Sequence, residues 1–388
     1  STTIQGALYP NGGIMVNNNK FIVDTGTGNT SIAGTLGVTG NATINGSINS
    51  INIGRGNSST SNTNVAVGYN VLTSNTGSNN TAFGSSALYS NTSGNHNTAT
   101  GTSALQNNIT GNFNTATGYQ ALYTNISNTL NTAFGYQTLK LTVNNMNSAF
   151  GSNALKSNTD GAENSAFGNN ALGSNTTSYG NSAFGSYALY NSTAANTCAF
   201  GNYALYKNTW GTFNLAFGNK ALYNNTSGSR NSATGYKSLY NNTSGQNNIA
   251  NGYQALYLNE TGQSNIATGS NALYLNTGDK NIATGTDALG SNTTGNFNIA
   301  SGYHALKSNT TASWNTAHGH EALKNNETGS QNTATGNASL WNNTTGSLNT
   351  ATGGNALNLN TTGDNNVANG AYSLNKNTTG HNNTANGT

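Results

Sequence analysis

Asn114-Thr-Ala-Thr-Gly-Tyr-Gln-Ala-Leu-Tyr123 is the clearest copy of a phrase that recurs from Asn64 to the end of the chain. With the Ala of Asn-x-Ala-x-Gly numbered zero, the phrase occurs twenty times, and its copies are 17 or, in four cases, 16 residues apart. These alanines are residues 66, 82, 99, 116, 133, 149, 166, 183, 199, 216, 233, 250, 267, 283, 300, 317, 334, 351, 368 and 385. A short fixed period indicates a stacked architecture in which each repeat contacts only its neighbours.

Four positions of the repeat are nearly invariant. Gly occupies +2 in all twenty copies, and Leu occupies +6 in all nineteen copies that extend so far. Asn occupies −2 in nineteen of twenty copies and +9 in seventeen of nineteen. The Gly, Asn and Thr content disfavours helix, and 17 residues suffice for two short strands and two turns. The sequence therefore predicts an all-β protein: a parallel β-solenoid or β-roll of about twenty 16–17-residue coils, assembled as a homotrimeric rod.

Stacking also predicts what the invariant positions do. Coils that rise by ~4.8 Å place like residues above one another, so twenty coils would make a rod of roughly 95 Å. Asn at −2 and +9 would then form side-chain amide ladders. Gly at +2 would allow a crowded backbone, and Ala at zero with Leu at +6 would fill a thin interior. The four shorter coils would trim a turn.

Residues 1–63 lack this period. Short runs such as Phe21-Ile-Val are separated by glycine pairs, and Pro10 is the only proline of the chain. Such punctuation is typical of short strands joined by tight turns. We therefore expect a lead-in or attachment segment over 1–63 and a β-solenoid shaft over 64–388.

The composition excludes several function classes. Charged residues make up 5% of the chain and the net charge is +3, against roughly 25% charged residues in an ordinary domain. The sequence has no basic patch of the kind that predicts nucleic-acid binding, and no apolar run of transmembrane length. Cys198 is the only cysteine, so no disulfide forms within one chain. Ser1-Thr-Thr-Ile opens no signal peptide, which fits either a removed signal or a virion component released by lysis.

One strand face is expected to carry the contact between chains. Positions −1 and +1 share that face, and their sizes compensate: Ser148 precedes Phe150 across the alanine, whereas Ile249 precedes Asn251. An apolar column of this kind marks an interface when it is exposed, and rotational symmetry would bury it. We predict a homotrimer with this face near the axis. The predicted packing residues are Phe134, Phe150, Phe167, Phe184, Phe200, Phe217, Ile249, Ile266, Ile282 and Ile299.

A second aromatic column occupies position +7. Tyrosine offers an apolar ring face and a polar tip, so this column is a candidate platform for sugar rings or a second contact between chains. Its members, in six consecutive coils, are Tyr190, Tyr206, Tyr223, Tyr240, Tyr257 and Tyr274.

Three titratable residues share position +4 in consecutive coils. Asp287, His304 and Glu321 should therefore stack as neighbours. Two carboxylates two coils apart would lie roughly 9.6 Å from each other, near the upper end of the spacing in inverting glycosidases. A surface charge ladder explains the same residues more simply, so the sequence predicts no catalytic residues and no organic cofactor.

The repeat resembles those of two groups of surface proteins. Asn-(Ser/Thr/Ile)-Ala-x-Gly is similar to the repeat of trimeric autotransporter adhesin heads, which implies a left-handed β-roll with three chains in the rod. The longer phrase Asn-Thr-Ala-x-Gly-Tyr-x-Ala-Leu-Tyr-x-Asn-Thr-Thr-Gly resembles repeats of phage and giant-virus tail fibres, many of which end in an endosialidase-type intramolecular chaperone. The autotransporter anchor, its coiled-coil stalk and the chaperone have no counterpart in these 388 residues.

His318-Gly-His320 is the one candidate metal site. In a threefold fibre, a His-x-His strand near the axis presents six imidazoles, enough for octahedral coordination of a transition metal. The tail-fibre resemblance implies the same use, since His-x-His holds axial iron in long tail fibres of T-even phages. The alternative is that +1 and +3 accept any polar residue, as Thr335 and Asn337 do one coil later.

The leading functional hypothesis is a structural fibre of a phage or virus, located in the virion. Its trimeric shaft would serve attachment to a host surface glycan or receptor, and it would bind an attachment protein of the particle. The alternative is a bacterial cell-surface adhesin or a self-assembling extracellular filament. A remote alternative is an ice-binding β-solenoid, because Thr-x-Thr pairs recur at Thr98, Thr115, Thr333 and Thr350. A glycan-degrading enzyme would rest on Asp287 and Glu321 alone.

Overall fold

The computed structural model describes residues 53–54 and 63–388, and these form an all-β fold without a helix. The described chain is a parallel β-solenoid of about 19 turns with about 17 residues in each. The predicted fold class is therefore confirmed. The predicted lead-in, residues 1–63, lies outside the described residues except for Ile53–Gly54 and Thr63.

The strands follow the repeat. In chain order they are β1 Ile53–Gly54, β2 Val65–Val67, β3 Thr81–Phe83, β4 Thr98–Thr100, β5 Thr115–Thr117, β6 Thr132–Phe134, β7 Ser148–Phe150, β8 Ser165–Phe167, β9 Ser182–Phe184, β10 Cys198–Phe200, β11 Leu215–Phe217, β12 Ser232–Thr234, β13 Ile249–Asn251, β14 Ile266–Thr268, β15 Ile282–Thr284, β16 Ile299–Ser301, β17 Thr316–His318, β18 Thr333–Thr335, β19 Thr350–Thr352, β20 Val367–Asn369 and β21 Thr384–Asn386.

Each strand from β2 to β20 pairs in parallel with the strand of the next coil, with Ala opposite Ala. In β5 and β6, for example, Ala116 is the partner of Ala133. β1 is antiparallel to β2. The alanine of every strand from β2 to β20 is buried, whereas its two neighbours point outward. Register therefore fixes which side chains line the outer face.

The expectation of two strands in each coil is wrong, because each coil contains a single strand of three residues. The remaining residues form turns whose backbone still bonds to the next coil. The Leu122 N–H donates to the Thr138 carbonyl at 3.1 Å, and the Thr124 N–H donates to the Lys140 carbonyl at 3.1 Å. Besides Gly at +2, the residues at −3, +4 and +6 have positive φ in nearly every coil, which prevents a continuous strand there.

Position +2 requires glycine because the backbone has a positive φ there and because the next coil leaves no room for a Cβ. At Gly252 φ is +143°, and a Cβ added there would lie 2.4 Å from the carbonyl oxygen of Gly269 in the next coil. An L-residue avoids that conformation, and that distance is far inside van der Waals contact. The predicted crowding of the backbone at this position is confirmed.

The interior is thin and layered. Ala at zero and Leu at +6 are fully buried in almost every coil, and a small residue at +5, usually Ala, packs beside them. The predicted core positions are thus confirmed.

Two asparagine ladders complete the interior. The Asn97 Nδ2 donates to Asn80 Oδ1 of the preceding coil at 3.2 Å and to the Gly111 carbonyl at 2.8 Å. From the +9 ladder, the Asn108 Nδ2 donates to Asn91 Oδ1 at 2.7 Å and to the same Gly111 carbonyl at 3.0 Å. The predicted ladders exist, and because they are fully buried they belong to the core rather than to the surface of the turns.

The 16-residue coils lose one residue between Asn at +9 and the carbonyl that it bonds. In the 17-residue coil, the Asn259 Nδ2 reaches Gly262 at 3.0 Å. In the shorter coil, the Asn276 Nδ2 reaches Gly278 at 2.8 Å. Where the +9 residue of a short coil is Asn, the ladder is kept and only the turn is shortened, as predicted; in the other two short coils the +9 residue is Thr142 or Ser192.

Candidate functional site

The predicted packing residues lie on the outer face of the strand column. Phe134, Phe150, Phe167, Phe184 and Phe200 stack with successive centroid distances of 4.9, 4.7, 4.6 and 4.7 Å. Phe217 continues the column at 5.4 Å with its ring tilted by 29°. The rings at the two ends are 37% and 55% exposed. A single chain therefore presents six phenylalanines to its surroundings.

Isoleucines extend this apolar face toward the C-terminal coils. Parallel register places Ile249, Ile266, Ile282 and Ile299 in one column at position −1. Ile249, Ile282 and Ile299 are exposed. We call the six phenylalanines and four isoleucines together the Phe–Ile face; the coil of Ser232 and Thr234 lies between the two groups. The residue on the other side of each alanine points outward as well. The residues at −1 and +1, whose sizes compensate in the sequence, therefore lie on this same face.

The tyrosines at +7 form a separate column. Successive centroid distances from Tyr190 to Tyr274 are 5.7, 5.3, 5.3, 5.3 and 5.1 Å. All six rings are half-buried. Burial raises the pKa of Tyr206 and of Tyr223, and the neighbouring tyrosines raise both further. Tyr206 and Tyr223 therefore stay uncharged at neutral pH.

Residues at +4 lie beside the tyrosine column. Tyr187 and Tyr203 stack on each other at 5.1 Å and meet Tyr206 edge to face. Lys237 lies 5.4 Å from the Tyr240 ring centroid and 5.9 Å from that of Tyr257. Positions +4 and +7 thus form one surface, which carries aromatic rings in its middle coils and charges further along.

The predicted stack of Asp287, His304 and Glu321 exists on that surface. His304 lies between the two carboxylates: Nε2 is 3.2 Å from Asp287 Oδ2, and Nδ1 is 3.6 Å from Glu321 Oε1. Each carboxylate also has its own lysine at +7. Lys307 Nζ is 3.1 Å from Asp287, and Lys324 Nζ is 2.6 Å from Glu321.

Pairing keeps both carboxyls ionised. Burial alone would raise the pKa of Asp287, but hydrogen bonds from Lys307 and Asn271 and the charge of Lys307 lower it. The hydrogen bond from Lys324 lowers the pKa of Glu321. A glycosidase acid needs a raised pKa, which neither carboxyl has. The arrangement is that of a paired charge ladder.

His318 and His320 are both exposed, on either side of Gly319. His318 ends β17 on the outer face, and His320 stacks on Tyr303 of the preceding coil at 5.2 Å. Within the described residues, no group of three or more His, Cys, Asp or Glu side chains is placed to hold a metal. An axial site would need the same residues from other chains, so it stays a prediction.

A shallow groove next to the tyrosine column was missed by the sequence reasoning. It encloses roughly 300 Å³ and is lined by Asn271, Tyr274, Leu275, Asp287, Gly290, Ser291 and Lys307; we call it the Gly290 groove. The signal in the sequence is Gly290, which occupies +7 in the coil after six consecutive tyrosines.

Fold and surface together define a β-solenoid repeat protein. In the part of the chain that the structure describes, no helix is long and apolar enough to cross a membrane. No protein-family model matches this chain, and no curated protein matches it either.

Proposed function

We propose that this chain is the shaft of an attachment fibre, in which three copies pack through their Phe–Ile faces. The observation that carries this proposal is the Phe–Ile face itself, a column of phenylalanines at +1 in six successive coils followed, after the coil of Ser232 and Thr234, by a column of isoleucines at −1 in four. Exposed apolar patches mark interaction surfaces, and a threefold axis parallel to the strand column would bury both columns along their length.

A fibre of a phage or virus is the form that we favour, with attachment to a host surface as its role. The repeat phrase resembles tail-fibre repeats, and stacked coils give a stiff shaft that grows by a constant rise per coil. A bacterial adhesin would use the same shaft. Ice binding is not favoured, because phenylalanine or isoleucine interrupts the Thr-x-Thr pairs over the middle coils.

Solution mass tests the assembly. We expect sedimentation to give three times the chain mass of 39.7 kDa. The double variant Phe167→Ser/Phe184→Ser removes two rings from the middle of the face and should yield a monomer with an unchanged β-sheet spectrum. Trp210→Ser is the matched control, because Trp210 is 73% exposed and lies outside the Phe–Ile face.

A wild-type monomer would overturn the proposed assembly. Large polydisperse particles that disappear in the double variant would instead support a self-assembling filament built through the same face. If the wild type is a trimer, metal analysis of the purified protein would test the axial site of His318 and His320.

A further inference from the structure

The Gly290 groove exists because the tyrosine column stops there. Tyr274 stacks on Tyr257 at 5.1 Å with an angle of 3° between the rings. The other side of Tyr274 faces the next coil, where Gly290 has no side chain to cover it. Tyr274 therefore has a stacked ring on one side only, and it borders the shallow groove.

Gly173, at the other end of the column, shows that such a gap need not stay open. A Cβ added at Gly173 would lie 2.8 Å from Cε2 of Tyr190, because that ring leans into the space. At Gly290 the atoms nearest to an added Cβ are backbone atoms only, the closest being the Asp287 carbonyl oxygen at 3.1 Å. No side-chain atom is among the three atoms nearest to that Cβ, in contrast to Gly173.

A buried acceptor without a partner borders the groove. Asn271 Oδ1 is buried and accepts no hydrogen bond. Asn153 has the same unpaired atom, and both residues lie at +4 in the coil before a glycine at +7. An unpaired buried acceptor costs about 1–3 kcal/mol, and because this oxygen has less than 1 Å² of accessible surface, a donor in the groove would reach it only after the amide group rotates.

The remaining polar groups of the groove are fixed and electrically balanced. Lys307 Nζ and His304 Nε2 both contact Asp287 Oδ2, at 3.1 and 3.2 Å. A carboxylate has about four acceptor sites and an ammonium has three donors, so both groups retain capacity for a ligand. Because the Asp287 charge offsets that of Lys307, the groove does not select for an anion.

We propose that the Gly290 groove binds one pyranose residue of a neutral glycan. The apolar C–H face of the sugar would stack on the side of Tyr274 that has no stacked ring. Its vicinal hydroxyls would donate to Asp287 and accept from Lys307. The volume of roughly 300 Å³ lies at the lower end of small-molecule sites, about 300–1,000 Å³, and suits a single sugar ring. This inference rests on the attachment role proposed above and names its ligand class.

Gly290→Tyr is the decisive variant. Tyrosine already occupies this position in six consecutive coils, and Gly290 has no positive φ, so the new ring should continue the column and fill the groove. The matched control is Lys156→Tyr, which places the same ring at +7 in a coil far from the groove. Thermal melting of both variants shows whether they fold as the wild type does.

The measurement is saturation-transfer NMR with methyl α-D-glucopyranoside, methyl α-D-mannopyranoside and methyl β-D-galactopyranoside, and with N-acetylneuraminic acid as the anionic comparator. We expect the wild type and Lys156→Tyr to bind at least one of the three neutral glycosides. Gly290→Tyr should weaken that binding by roughly tenfold or more, which corresponds to loss of one stacking contact.

Absence of binding to all three neutral glycosides would overturn the proposal. Binding that persists in Gly290→Tyr, or a preference for N-acetylneuraminic acid, would overturn it as well. The result is independent of the solution mass, so failure of the glycan site and failure of the trimeric fibre are distinguishable.

Discussion

At Leu256, an unfavourable backbone conformation is combined with favourable burial of the side chain. Its φ is 52°, a left-handed conformation that costs an L-residue roughly 1–2 kcal/mol. Its side chain is fully buried, and burial of a leucine contributes about 1.5–3 kcal/mol. Packing therefore offsets the backbone strain. Sequence reasoning identified Leu at +6 as core, but it missed this conformation, because leucine carries no preference for positive φ.

Replacement of a glycine at +2 should be among the most damaging single changes in the chain. We expect Gly252→Ala to lower the free energy of unfolding by about 3 kcal/mol or more, because a strained φ and a clash with the next coil act together. Gly354→Ala is the control, since the atom nearest to an added Cβ there is 4.0 Å away. Urea titration measures both variants, and equal stabilities would contradict the steric argument.

The charge ladder at +4 should make stability depend on pH in acid. The pKa values of Asp287 and Glu321 are lowered in the folded protein. Their contribution is therefore complete above the unfolded pKa values of about 4 and is lost as the pH falls through the lower folded values. Asp287→Asn/Glu321→Gln should reduce the loss of stability between pH ~5 and ~2.

The control for this prediction is Glu327→Gln, because Glu327 is exposed and forms no ion pair among the described residues. Urea midpoints at the two pH values are the measurement. A double variant that loses as much stability in acid as the wild type would show that these carboxyls are not the source.

At the scale of the element, the +9 ladder has a defect with a clear cause. Asn125 Oδ1 is buried without a partner, because the next coil has Thr142 where other coils have Asn. Thr142 instead accepts from Asn158 Nδ2 at 3.3 Å. We expect Thr142→Asn to close the ladder and to stabilise the protein by about 1 kcal/mol.

The second break in this ladder provides a matched comparison. Ser192 also replaces Asn, but there Asn175 Oδ1 is bonded by the hydroxyl of Ser178. Ser192→Asn should therefore gain less than Thr142→Asn. Thermal melting of both variants decides this, and an equal gain would mean that the unpaired oxygen of Asn125 is not what limits stability.

Sequence reasoning did not predict the number of strands in each coil correctly. Two strands were expected because 17 residues leave room for them, and a short apolar run such as +5 and +6 does not by itself distinguish a strand from a turn. Gln254 and Leu256 have φ values of 52°, so the alanine between them faces the interior from a turn. The ladders were predictable because stacking depends only on recurrence, whereas turn geometry depends on dihedral angles that the pattern does not reveal.

At the scale of the whole solenoid, each coil contacts only its two neighbours, so stability should be distributed locally. In Gly252→Ala, we expect hydrogen exchange to quicken in the coils around Gly252 and Gly269 and to stay slow around residues 99–116. Mass spectrometry of peptic fragments measures this. A uniform loss of protection along the chain would show that the solenoid unfolds as one unit.

The period predicted the architecture of the solenoid almost completely, but it did not predict the Gly290 groove. The groove arises where one coil departs from its neighbours, and a consensus averages such departures away. Asn271, Asp287 and Lys307 become meaningful only when adjacent coils are superposed, which requires the register that the structure provides.

The asparagine ladders have a direction. In both of them the later coil donates and the earlier coil accepts, as in Asn114 to Asn97 and Asn360 to Asn343. Buried amides aligned in this way polarise one another, so their dipoles add along the axis. Wherever such a column ended, one end would offer N–H groups and the other would offer carbonyl oxygens. The two ladders therefore share one polarity, and a further coil or copy could continue them only head to tail.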